Sequence, residues 1–106
     1  MTEDDALAAF AALSNQSRLS VIRALVKAGP SGLPAGDIAE CIGASPSQTS
    51  FHLSSLSACG LITAERRARQ MIYRIDFQRV GELVGFLLDD CCAANPEVRE
   101  CCGLRR

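Results

Sequence analysis

Apolar positions recur at helical spacing along most of the chain, and the recurrence breaks where the backbone must turn. Leu7, Phe10 and Leu13 fall three apart among alanines. Thr2 and Asp5 form a capping pair ahead of them, so the pattern predicts a narrow helix to about Leu13 that packs closely on a neighbour. Leu19, Ile22, Leu25 and Val26 predict the inward side of a second helix, capped by Ser14 or Asn15 and stopped at Gly29-Pro30. The segment GPSGLP reads as a loop. A short helix follows over Ala35–Ile42 with Ile38 and Ile42 inward, and Gly43 closes it.

The pattern then becomes unusual. In SPSQTSFHLSSLSACG, Ser45 is placed as an N-cap, Pro46 as a first-turn proline and Gly60 as a stop. Winding this helix at about 100° per residue puts Thr49, His52, Leu53, Leu56 and Cys59 on one arc. Ser47, Gln48, Phe51, Ser54 and Ser55 fall on the other, with Ser50 beside them. A solvated helix face normally carries Lys and Glu, whereas this one offers hydroxyls, an amide and a ring without charge. Such a face lies against a large polyanion without repelling it. Two short helices joined by a glycine-containing turn, the second with a neutral polar face, form a helix-turn-helix pattern.

After Gly60 the period shortens. Residues 61–64 and 71–75 are rich in β-formers and flank a polar stretch with Arg66, Arg67 and Arg69, which predicts a β-hairpin with an arginine tip. Asp76 caps a last helix over 77–92, whose Val80, Leu83, Val84, Phe86, Leu87 and Leu88 supply more apolar surface than one small core uses. The expected outlet is a dimer through the first and last helices, with Leu7, Phe10, Leu83, Val84, Leu87 and Leu88 in the interface. The fold class expected is mainly α with a small β-hairpin: a dimeric winged helix-turn-helix over residues 1–92, and a cysteine-containing tail over 93–106.

Composition sharpens this picture. At 106 residues the chain is long enough for one modest core. No apolar run approaches the ~18 residues of a membrane span, and the acidic MTEDD start is not a signal peptide, so a cytoplasmic protein without a membrane partner is expected. The net charge of −1 hides a segregation. Residues 43–79 hold five basic and two acidic side chains, while 1–42 hold three and five, and 80–106 three and five. Positive charge gathers at the reading helix and hairpin, where local field counts more than the total. Double-stranded DNA is the expected partner. Gln48 and Phe51 are placed to read base edges, Phe51 against a thymine methyl, with Ser47, Ser50 and Ser54 around them. Arg66, Arg67 and Arg69 are placed for phosphate or minor-groove contact. His52, on the inner arc, packs and hydrogen-bonds or reaches a phosphate from the edge. No catalytic constellation is visible, so no enzyme is expected.

These stretches together resemble the ArsR/SmtB family of metal- and metalloid-responsive repressors. The resemblance runs from Leu7 to Leu88 and is carried by Ser17-Arg18-Leu19, Ser50-x-His52-Leu53, and Gly60-Leu61-Ile62 leading to Tyr73-Arg74. It implies a homodimer that sits on an inverted-repeat operator and leaves it when an effector binds. Members often have a histidine where Phe51 stands. Founding arsenic sensors of the family carry closely spaced cysteines on the short helix, where this chain has only Cys41.

Six cysteines remain to be placed. Cys41 and Cys59 stand alone in helical patterns and read as small buried hydrophobes. Cys91, Cys92, Cys101 and Cys102 crowd twelve residues near the C-terminal end. Thiolates favour soft ions. Adjacent pairs splay poorly onto the four tetrahedral corners zinc wants, whereas trivalent arsenic takes three sulfurs on one side. Arsenic-responsive family members with a CC pair at the end of the last helix are similar. The expected effector is arsenite or antimonite, with no intrinsic cofactor, held by Cys91, Cys92 and either Cys101 or Cys102. The alternatives are a thiol redox or persulfide sensor of the same fold, and a soft-metal-binding thiol protein without a DNA partner.

Overall fold

The computed structural model describes residues 1–103. Helix α1 spans Glu3–Leu13 and opens with a capping box in which Thr2 and Asp5 each accept from the other's backbone N–H. Such caps contribute about 1 kcal/mol each. Its buried side is the alanine stripe Ala6, Ala9 and Ala12, while Leu7 is 57% exposed and Phe10 half-buried. Small side chains let the backbone of α1 approach its neighbours closely; a leucine at Ala9 would overpack the core by roughly 1–3 kcal/mol.

Helix α2, Gln16–Ala28, is capped by Asn15. It buries Val21 and Leu25 and half-buries Ile22, whereas Leu19 and Val26 face outward, contrary to the expected inward side. The period was right but the stripe is rotated, because α2 meets α3, α4 and the sheet on its Val21–Leu25 side. The GPSGLP segment is more ordered than a loop: a 3-10 turn at Gly29–Ser31 leads to a two-residue strand β1, Leu33–Pro34. Gly32, at φ 67, lies so close to the sheet that a Cβ there would strike the Tyr73 carbonyl oxygen.

Helices α3 (Ala35–Ile42) and α4 (Pro46–Ala58) form the helix-turn-helix. Ile38 is fully buried between α3 and the core, and Leu53 and Leu56 anchor α4. Strands β2 (Ile62–Arg67) and β3 (Gln70–Ile75) pair antiparallel from Ile62↔Ile75 to Arg67↔Gln70. β1 joins the other edge of β3, giving the order β1-β3-β2. The strands run further than the sequence indicated, so Arg66 and Arg67 are strand residues and Arg69 alone sits in the two-residue turn, after Ala68 at φ 54.

Asp76 caps α5, Phe77–Gly85, as expected. The last helix does not continue as α-helix to residue 92. It widens into a π-helical turn at Phe86–Cys91 and then breaks at Ala93 and Ala94, both with positive φ. A further helix α6, Pro96–Cys101, follows Asn95. An Arg99–Asp89 ion pair at 2.8 Å ties α6 back to the π-turn. Residues 104–106 of the predicted tail lie outside the described residues. Among the described residues no helix is long and apolar enough to cross a membrane.

Candidate nucleic-acid interface and thiol cluster

The reading face is built by helix capping and the inner arc. Thr49, Leu53, Leu56 and Cys59 are buried against the core, which turns Ser47, Gln48, Ser50, Phe51 and Ser54 outward. All five are exposed, Phe51 by 65%. Ser45 and Gln48 form a second capping box. The Gln48 backbone N–H donates to Ser45 Oγ at 3.1 Å, and the Ser45 N–H donates to Gln48 Oε1 at 3.1 Å. This reciprocal bond was legible as the motif Ser-x-x-Gln but was missed in the sequence. Phe51 meets His52 edge-on, with ring centroids 5.9 Å apart.

His52 is half-buried, and its Nδ1 lies 3.5 Å from Arg18 Nη1. Arg18 also donates from Nε to the Ala12 carbonyl. The Ser17-Arg18-Leu19 motif thus links α1, α2 and the reading helix through one guanidinium. Arg79 does the same at the C-terminal end of α4: it donates to the Cys59 carbonyl at 3.4 Å and pairs with Asp5 and Glu82 at 3.5 and 3.4 Å. Gly60, at φ 81, leaves room for it, since a Cβ there would stand 3.0 Å from Arg79 Nε.

The hairpin carries its charge outward. Arg66 and Arg69 are exposed and make no ion pair among the described residues, while Arg67 stands 3.7 Å from Glu65. Glu65 engages Arg74 more closely, at 2.7 Å, and Arg74 donates to the Pro30 carbonyl at 2.8 Å. Arg74 therefore braces the hairpin on the 3-10 turn, and the cations left facing solvent are Arg66, Arg67 and Arg69.

The apolar surface expected in a dimer divides. Leu83 and Leu88 are 6% and 7% exposed, so the chain itself already buries them, and they add little to an interface. Leu7, Val84 and Leu87 remain open. Leu7 and Phe10 of α1 and Phe86 of the π-turn line one hollow with Met1, Glu3 and Asp90, which puts the first and last helices on a common face.

The cysteines also divide. Cys59 is buried, and its thiol donates to the Leu56 carbonyl. Cys41 is exposed, contrary to the expectation, because α3 is covered only along its Ile38 side. Cys92 is half-buried at the end of the π-turn, and Cys101 and Cys102 are exposed beside Glu97 and Val98. The Cys91 side chain lies outside what the structure describes. Among the described residues no group of three or more His, Cys, Asp or Glu side chains stands close enough to hold a metal ion.

A neutral exposed reading helix beside a cation-bearing hairpin defines a winged helix-turn-helix DNA-binding regulator. Residues 13–65 match the family model described as a helix-turn-helix domain. The chain is 32% identical over 97 residues to the "Probable mercury resistance operon repressor" of Streptomyces lividans, covering 88% of this chain and 71% of that one. The fold matches the "ArsR-like Transcriptional Regulator from Rhodococcus sp. RHA1" with a TM-score of 0.75 at 23% identity, over 90% of this chain and 87% of that one. It also matches the homodimeric winged helix-turn-helix DNA-binding domain Mb0332 of Mycobacterium bovis, a possible ArsR-family regulator. That match has a TM-score of 0.65 at 26% identity and covers 88% and 86% of the two chains. The chain belongs to the ArsR/SmtB family of winged-helix transcriptional regulators, which are not enzymes.

Proposed function

We propose that the protein is a homodimeric repressor that binds an inverted-repeat operator and releases it when trivalent arsenic or antimony binds thiolates at Cys91, Cys92 and one of Cys101 and Cys102. The observation carrying this reading is the division of labour along the chain: an uncharged reading face at α4 and four cysteines confined to the far end. The homodimeric relative and the shared face of α1 and the π-turn support a dimer through the first and last helices. Two-fold symmetry then sets half-sites about one helical turn, or a multiple, apart.

The link between Cys92 and α6 supports a switch. Ala93 and Ala94 have φ of 51 and 55. L-residues in the left-handed region cost roughly 1–2 kcal/mol each. The joint carries this strain between backbone hydrogen bonds, such as the Asn95 N–H to the Cys92 carbonyl, and the exposed Arg99–Asp89 ion pair, and bringing a thiol of α6 to Cys91 and Cys92 would alter the packing of the last helices across the dimer. A relative named for mercury resistance supports a soft, thiol-seeking effector. The test is a mobility-shift titration on the inverted repeat nearest the gene, with arsenite, antimonite, mercuric, zinc and polysulfide arms. Release by arsenite or antimonite at the lowest concentration is the expected outcome. Selective release by mercuric ion, or by polysulfide, would replace the effector and keep the repressor. Absence of binding to any inverted repeat would overturn the reading.

A further inference from the structure

We infer that the capping box at the start of α4 fixes Gln48 as a hydrogen-bond donor toward DNA, so that each half-site presents guanine where this side chain reaches the major groove. The inference rests on the operator-binding reading above and names the base chemistry it requires. A free glutamine is ambivalent: it reads adenine by donating from Nε2 to N7 while accepting at Oε1 from N6. Here the amide is not free. Its carbonyl faces back to the Ser45 N–H at 3.1 Å, and only an oxygen can accept that bond, so the identity of the two amide ends is set by chemistry. Nε2 is left as the outward end, with no partner among the described residues, on an exposed side chain in the first turn of the reading helix. First-turn residues are those that meet base edges in helix-turn-helix complexes.

An outward NH₂ carries two donors and no acceptor. Guanine answers with adjacent acceptors, N7 and O6. Adenine sets its own N6 donor beside N7, where its match would be the carbonyl that Ser45 holds. Ser45 is thus a positioning residue. Its backbone sits at φ −69 and ψ 161, which proline adopts without strain, so the N–H can be deleted while the chain path is kept.

The test is selection of bound sequences from a randomised duplex library by four proteins: wild type, Gln48→Glu, Ser45→Ala and Ser45→Pro. Wild type is expected to enrich guanine at one symmetric position per half-site. Gln48→Glu keeps the capping box, since glutamate is a preferred residue there, but turns the donor into an acceptor; it should exchange guanine for cytosine at that position. Ser45→Ala loses only the hydroxyl cap and should keep the wild-type preference. Ser45→Pro also loses the N–H, frees the carbonyl, and should admit adenine at least as often as guanine. Adenine enriched by wild type, or identical preferences for wild type and Gln48→Glu, would overturn the inference while leaving operator binding intact. If folded wild-type dimer enriches no sequence at all, operator binding itself fails, and the inference falls with it.

Discussion

The reading head and the C-terminal end of this chain are built by opposite rules. In the head, α4 begins with a full capping box and is fastened by arginines at its middle and its C-terminal end, Arg18 beside His52 and Arg79 on the Cys59 carbonyl. Ile38, Leu53, Leu56 and Leu61 seat it in a core they share with α1 and α2. At the C-terminal end the backbone leaves α-geometry for a π-turn, passes two left-handed alanines, and continues as a six-residue helix tied back by backbone hydrogen bonds at the joint and, among the described residues, one surface ion pair between side chains. Surface pairs contribute only about 0–1 kcal/mol. Under the proposed function this contrast suits a regulator: the part that recognises DNA keeps one shape, and the part proposed to take the effector is built with fewer side-chain ties.

The sharpest way to test the contrast is to remove the signal and leave the head untouched. Cys91→Ser and Cys92→Ser are expected to bind operator as wild type does but to resist release by arsenite. Wild type should lose roughly a hundredfold in affinity, about 3 kcal/mol. Cys41→Ser and Cys59→Ser should respond normally. A Cys101→Ser/Cys102→Ser protein that still responds fully would reduce the site to two thiols. Mobility-shift titrations with and without arsenite measure all of these.

Charge on the hairpin comes next in size. Arg66→Ala, Arg67→Ala and Arg69→Ala should each weaken binding to all sequences and lower the slope of log K against log salt by about 1. Unchanged salt dependence would mean that the hairpin does not touch phosphate.

The head also contains one costly group. Thr49 is 1% exposed, and its hydroxyl has no hydrogen-bond partner among the described residues. Thr49→Val should raise stability by about 1 kcal/mol, read as a higher denaturation midpoint at constant slope. At the other end, Arg99→Ala should leave that midpoint nearly unchanged, shifting it by less than about 1 kcal/mol, yet speed proteolysis within residues 96–101. Equal effects of Arg99→Ala on both readouts would show that α6 belongs to the cooperative core.

The smallest effect concerns acid. The Thr2 backbone N–H, and then its hydroxyl, hold the Asp5 carboxyl below the usual aspartate value, with Arg79 adding to this. A lowered folded value means that the unfolded chain takes up the proton first. The stabilisation is complete above the ordinary aspartate range and disappears as pH falls through the lower folded value. Midpoints of wild type and Asp5→Asn should therefore converge below about pH 4.

Much of this molecule follows from local sequence. Thr2, Asn15, Ser45 and Asp76 act as caps because a short side-chain oxygen reaches the first free N–H groups of whatever helix follows. Gly43 and Gly60 stop helices because they tolerate positive φ. The neutral arc of α4 is visible because the opposite arc holds apolar residues that can only face inward. Other features depended on tertiary packing. In α1 and α2 apolar residues occupy more than one side, so periodicity gives the angles between them but not which side meets a neighbour. Packing chose Ala6, Ala9 and Val21 over Leu7, Leu19 and Val26. β1 exists only because β3 offers its edge, and Arg18, Arg74 and Arg79 find their carbonyl acceptors in segments far away in sequence or across a turn. Leu83 and Leu88 are spent inside the protomer for the same reason: burial is decided where elements meet, and a sequence lists the residues of each element without stating which surfaces meet.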